Sequence, residues 1–229
     1  PGTITYEWNL VGGSSNPVGT SSTYTVPTNV AGTYEYYCIV SFSSGGCPDV
    51  TSSNITITIV LDPSALIPTT PADICDGGVI ANPLSVNVSG GTGTISYSWD
   101  EIGGSSNPVG TNPTYDPGIL SPVGIYEYQV TVDYDGNGCD PTTSNIVQIN
   151  VEPDPFSDDI LNDTTVCQTV SPASSAAILE VTNVQGGIPP FNYNYQWWQA
   201  TPVLQQVGLN STTYQPPTDF VGTYTYYCV

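Results

Sequence analysis

One strip, written three times, limits most what this chain can fold into. It reads Gly32-Thr33-Tyr34-Glu35-Tyr36-Tyr37-Cys38, then Gly124-Ile125-Tyr126-Glu127-Tyr128-Gln129-Val130, then Gly222-Thr223-Tyr224-Thr225-Tyr226-Tyr227-Cys228. Alternate positions are aromatic or small and apolar, and a period of two is the signature of a half-buried β-strand. Upstream of each copy lies a Tyr-x-Trp: Tyr6 and Trp8, Tyr97 and Trp99, Tyr195 and Trp197. The chain is therefore one strand-rich unit repeated about two and a half times.

The repeat length follows from the landmarks. Trp8 and Trp99 are 91 residues apart, and Cys75 and Cys167 are 92 apart. A unit of that size suits a two-sheet sandwich of the immunoglobulin type and can bury a small core of its own. The expected boundaries are residues 1–60, 61–151 and 152–229. Asp62-Pro63 and Asp154-Pro155 open the second and third units, and proline there blocks further pairing and stiffens the joint. On this reading the first unit lacks its opening strands and the third its closing strand. The missing strands are expected from a continuation of the chain or from another copy. The absence of an initiator Met or a signal peptide is expected of a mature or excised segment.

Charge removes whole classes of function. The chain has 20 Asp plus Glu and no Lys, Arg or His. Nothing can neutralise nucleic-acid phosphates or form a polybasic membrane patch. No apolar run approaches the ~18–20 residues of a spanning helix, so no membrane insertion is expected. Without His there is no Ser-His or Cys-His pair, and without Lys no P-loop or Schiff base. An enzyme is not expected. Such acidity serves solubility and self-repulsion along an extended array, or attracts cations.

Within the units, Thr3–Asn9, Ser22–Val26, Leu84–Val88, Ile178–Val184 and Phe191–Trp197 read as strands. Ile55, Ile57 and Ile59 close the first unit, and Val147, Ile149 and Val151 close the second. Residues 12–20 and 103–111 are the same nine letters, Gly-Gly-Ser-Ser-Asn-Pro-Val-Gly-Thr, a loop by its turn chemistry. Trp8, Trp99 and Trp197 with Tyr36, Tyr128 and Tyr226 are the expected core signature. Trp198 follows the core-facing Trp197 and so is expected to point outward, as a packing contact or a sugar-stacking platform.

Six Cys without a C-x-x-C pair suit an oxidising compartment. Cys38 and Cys228 read as small buried apolar residues, with a Cys38–Cys47 bond across the hairpin as the rival. Only the second unit holds both of the other cysteine types, so Cys75 is expected to bond Cys139, with Cys47 and Cys167 left over. No cofactor is expected apart from calcium. The run Asp133-Tyr134-Asp135-Gly136-Asn137-Gly138-Cys139-Asp140 spaces oxygen ligands as a Ca²⁺ loop would, through Asp133, Asp135, Asn137 and Asp140. The rival is a solvated hairpin turn, since no Glu stands at the twelfth place. Asn54, Asn87, Asn162 and Asn210 fit the N-glycosylation sequon at near-background frequency.

Two resemblances follow from these motifs. A Tyr-x-Trp strand facing a Tyr-x-Cys strand resembles the immunoglobulin fold, where a Tyr sits two residues before the Cys, as Tyr36 and Tyr226 do here. Val130 replaces that Cys, and the early strands hold none, so the inter-sheet disulfide of antibody domains is not implied. More specifically, Tyr195–Trp198, Ser211–Thr218 and Val221–Val229 resemble the tandem Ig-like repeats of very large secreted surface proteins of Bacteroidota, some of them gliding-motility adhesins exported by type IX secretion. The resemblance covers the whole chain and implies an extracellular, cell-surface array without catalytic residues. It also makes Asp163-Thr164-Thr165 similar to an O-glycosylation site.

The reading of the sequence is thus all-β: tandem immunoglobulin-like β-sandwich domains, one complete and two cut by the chain ends. The expected function is a structural segment of an extracellular bacterial filament or stalk, with adhesive capacity. Its expected partners are other copies or a continuation of the same chain, together with a glycan or surface ligand. The rival is a ligand- or glycan-binding module acting multivalently through its repeated loops.

Overall fold

The computed structural model describes residues 2–44, 46–136, 138–158, 164–168 and 178–229. Every regular element among them is a β-strand. By its contacts the chain divides into two compact units. One is Pro1–Pro68 with Ser85–Tyr115 and Tyr128–Ile146; the other is Thr69–Leu84 with Asp116–Glu127 and Val147–Val229.

The first unit holds two copies of the same antiparallel pair. Ile4–Leu10 lies against Gly32–Phe42 with Trp8 opposite Cys38. Ile95–Glu101 lies against the Tyr128–Tyr134 part of Gly124–Tyr134, with Trp99 opposite Val130. Trp needs depth and the opposite residue must be small, which is why Cys and Val alternate at that place. On its other side Gly32–Phe42 pairs with Val50–Thr51 and then with Ile55–Ile59. Between these two short strands Ser52 enters the ladder with its side chain: Cys38 N donates to Ser52 Oγ at 2.9 Å, and Ser52 N donates to Cys38 O at 2.9 Å. Ser144 repeats this on Val130, at 3.1 and 2.9 Å. Ser64–Leu66 and Asn87–Ser89 form a separate antiparallel ladder.

In the second unit Ile74–Cys75 runs parallel to Val151–Glu152, a pairing extended by Asp76 N donating to Glu152 O at 2.9 Å. Leu179–Glu180 pairs with Thr213–Tyr214. Gln196–Thr201 lies between Gln205–Leu209 and Thr225–Cys228, again with Trp197 opposite Cys228. A sheet in which the Trp strand pairs with the Tyr/Cys strand, and that strand with a closing strand, is the front sheet of an immunoglobulin-like sandwich. The fold is all-β and immunoglobulin-like.

Burial differs between copies of the same pattern. Val147, Ile149 and Val151 are buried, whereas Ile55 on the matching strand is 53% exposed and Ile57 and Ile59 are half-buried. Periodicity places side chains on a face, but only a second layer removes that face from water.

Several strands are shorter than their sequence pattern. Ser22–Val26 forms none, though Tyr24 among its residues stacks on Trp8. Leu84–Val88 breaks into Leu84–Ser85 and Asn87–Ser89. The strand expected at Phe191–Trp197 begins at Gln196.

No disulfide forms, which corrects the expected Cys75–Cys139 bond and its Cys38–Cys47 rival: all six cysteines are free. Cys75 is held in the parallel ladder with Glu152. Cys139 sits in a turn of the first unit, where its Sγ lies 4.0 Å from Thr92 O and its backbone N–H closes on Gly136 O at 3.3 Å. Cys38 is buried behind Trp8, while Cys47 is exposed. The thiols thus occupy backbone-determined places that do not meet the narrow geometry a disulfide requires.

Candidate functional site

The best-defined constellation in the molecule is an aromatic triad built three times. Trp8, Trp99 and Trp197 donate through Nε1 to Ser21 O, Asn112 O and Ser211 O at 3.0, 2.8 and 2.8 Å. Each indole stacks on a tyrosine: Tyr24 at 6.3 Å and 27°, Tyr115 at 5.9 Å and 28°, Tyr214 at 5.8 Å and 27°. Each of those rings tilts onto the next tyrosine, Tyr36, Tyr128 or Tyr226, at 5.6 Å and 51–52°. These are offset and tilted arrangements that the ring quadrupole favours. Trp99 and Trp197 are wholly buried, and Tyr36 and Tyr128 nearly so; Trp8 and Tyr226 are half-buried.

The middle member, Tyr24, Tyr115 or Tyr214, is absent from the core expected from sequence. Its signal was present as a Val-Gly dipeptide followed by tyrosine: Val18-Gly19, Val109-Gly110 and Val207-Gly208. The glycine lets the ring lie flat on the backbone. A Cβ at Gly19 or Gly110 would stand 2.7 or 2.8 Å from the tyrosine Cδ2.

The tyrosine corner also sits elsewhere than the spacing suggested. Tyr36 belongs to the triad. The hydroxyl that reaches back to the chain is that of Tyr34, donating to Val30 O at 3.2 Å, and likewise Tyr126 donating to Pro122 O at 2.9 Å. Burial raises the Tyr36 hydroxyl above its ordinary pKa, with Tyr24 and Tyr34 adding to the rise. Burial acts the same way on Tyr214, and on Tyr226 with help from Tyr214 and Tyr224. Burial also raises the Cys228 thiol, against a backbone hydrogen bond from Gln196 that lowers it.

The repeated loops 12–20 and 103–111 are held alike. Asn16 accepts from Leu10 N at 2.9 Å and donates to Leu10 O at 3.0 Å; Asn107 does the same to Glu101 at 2.9 and 3.1 Å. The amide takes the place of a backbone strand partner, and Ser14, Ser15, Ser105 and Ser106 stay exposed beyond it. Both loops carry a cis Asn–Pro bond.

The acidic run 133–140 is tied into the fold at Asp135. Asp135 Oδ1 accepts from Thr94 N at 2.6 Å, pinning the turn to the residue that precedes Ile95–Glu101. Asp133 and Asp140 are exposed, and Asn137 lies outside the described residues. Among the described residues, no three Asp, Glu or Cys gather as metal ligands would.

In the second unit Trp198 is half-buried and lies parallel to Tyr227, with centroids 6.4 Å apart and planes 10° apart. A cavity of about 430 Å³ in the same unit is walled by Phe156, Val181, Val184, Tyr193, Tyr195 and Cys228, among others. Among the described residues, no helix is long and apolar enough to cross a membrane.

No known protein-family model matches the chain, and no curated protein matches it. Solved structures do. The three N-terminal domains of the bacteriophage RB49 highly immunogenic outer capsid protein align at 13% identity and a TM-score of 0.49, over 91% of this chain and 70% of that one. Extracellular domains 3–5 of Drosophila OTK align at 15% and 0.32, over 90% and 68%. Immunoglobulin domains 1–5 of Sidekick-1 align at 18% and 0.30, over 98% and 49%.

Proposed function

We propose that this chain is a structural repeat segment of an extracellular surface filament or stalk, with adhesion carried by the array. The observation that supports it best is the threefold construction of one triad in one register. A chain that repeats one sheet, with no His for a Ser-His or Cys-His pair and no cationic side chain, is suited to span distance. The charge of −20 keeps neighbouring copies apart and the array soluble. In this proposal the repeats 1–60, 61–151 and 152–229 are the mechanical elements. The resemblance to Bacteroidota surface adhesins points to the outside of a bacterial cell.

The test is single-molecule stretching of the chain tethered at both ends. Unfolding the 91 residues of 61–151 should release length on the order of 300 Å in one abrupt step, at ~3.4 Å per residue. Smooth extension without force peaks would rule out the stalk.

A second reading draws on the two loops, which share sequence and geometry. If they form a repeated ligand face, replacing the serines of both loops abolishes binding to a target surface. Replacing one loop alone weakens it disproportionately.

A further inference from the structure

The third repeat departs from the other two on the sheet face opposite the triad. The residue after the core tryptophan is Asn9, then Asp100, then Trp198; its cross-strand partner is Tyr37, then Gln129, then Tyr227. Only the third copy sets two aromatic rings there, parallel within 10°. Tyr227 is 40% exposed, and Trp198 is half-buried.

Two amides share that face. Gln206 stands directly opposite Trp198 on the other neighbouring strand, and Gln196 is two residues before Trp198 on its own strand. Both are exposed. Leu209, opposite Gln196, adds apolar surface.

The charge map shows what such a face can receive. Residues 61–151 carry ten acids, whereas 181–229 carry one, Asp219. The same stretch 181–229 holds ten Asn or Gln and ten aromatic residues. An anionic ligand is repelled by the net charge. A cationic one finds no carboxylate on strands 196–201, 205–209 or 225–228. What remains is a ligand that is neutral, has an apolar face and carries hydroxyls at its edge. Aromatic rings cover the first feature, and amides, each both donor and acceptor, meet the second.

We propose that Trp198, Tyr227, Gln196 and Gln206 form a binding platform for neutral oligosaccharides of equatorially substituted pyranoses. Such a sugar lays its C–H face on the rings and turns its hydroxyls to the amides. The proposal does not rest on the stalk reading, since a filament with or without this platform would stretch alike.

The test uses the 229-residue chain with cellohexaose and chitohexaose, followed by tryptophan fluorescence and calorimetry at 0.15 M salt. At least one sugar should bind saturably. Trp198→Ala should weaken binding tenfold or more, and so should the paired variant Gln196→Ala with Gln206→Ala, whose exposed sites leave the fold intact. Thr56→Ala, at an exposed strand position of the first unit, should bind as the parent does. The proposal is overturned if neither sugar binds, or if either platform variant binds as tightly as the parent. It is also overturned if a hexa-arginine peptide displaces the sugar from these residues at lower concentration, which would mark a cation–π site instead.

Discussion

Truncating the same tryptophan in two repeats of one compact unit should cost different amounts, and the difference follows from burial. Trp99 is wholly buried, stacked at 5.9 Å on Tyr115, which leans on the buried Tyr128. Removing the indole leaves a cavity between these rings, and Trp→Ala in a core typically costs about 3–5 kcal/mol. The hydrogen bond from Nε1 adds little, because its acceptor belongs to the exposed Asn112, where water can replace the donor. Trp8 makes the same contacts in sequence terms but is only half-buried, with its Tyr24 ring farther away at 6.3 Å. Less surface returns to water, and solvent can enter the space, so Trp8→Ala should cost about 2 kcal/mol at ~25 cal/mol per Å². The assay is urea unfolding followed by far-UV circular dichroism, because fluorescence loses its probe. Unchanged slopes with different midpoints make the comparison valid. Equal costs for the two substitutions would refute the link between burial and stability. So would a cost below about 1 kcal/mol for Trp99→Ala, a value ordinary surface changes approach.

Four further outcomes are expected. Ser144→Ala strands the buried Val130 N–H and should cost about 1–3 kcal/mol, against less than 1 for Ser52→Ala, whose site is open to water; thermal midpoints of the two variants decide this. The raised pKa values of Tyr36, Tyr214 and Tyr226 mean that the unfolded chain loses these protons first. Their stabilising effect is therefore complete below about pH 10 and lost as pH climbs through the higher folded values. Alkaline titration by absorbance should leave a minority of the 16 tyrosines un-ionised until the chain unfolds; complete ionisation before unfolding would contradict it. Thiol titration in denaturant should count six free cysteines, and reductant should leave the melting temperature unchanged; a reductant-sensitive melt would restore a disulfide. Salt should raise stability by screening a charge of −20, with calcium and magnesium equivalent at equal ionic strength; a calcium-specific rise abolished by Asp135→Asn would place an ion at the 133–140 turn.

Much of the framework was legible in the residues. Strands with a period of two announce themselves, and the recurrence of Trp8, Trp99 and Trp197 at one offset made the repeat plain. Tyr36, Tyr128 and Tyr226 could be assigned to an inner face by alternation alone. The middle tyrosines were harder to see, because Ser22–Val26 looks like a strand and Tyr24 like one of its members. Tyr24 instead reaches the core from irregular backbone, through a glycine that allows ring-on-backbone contact. The cysteine pairing failed for a related reason: spacing says which thiols recur, but not where the ladders carry them.

The pattern of letters alone determined the class of fold, the period and the absence of cationic side chains, since these depend on composition and short-range alternation. Tertiary structure decided depth. It set Val147 in a dry interior and Ile55, its counterpart in the pattern, at the surface. It also placed Trp198 beside Tyr227, one from the middle of a sheet and one from its edge. Burial and cross-strand neighbours depend on what packs over a face, and a strand's own sequence carries no record of that.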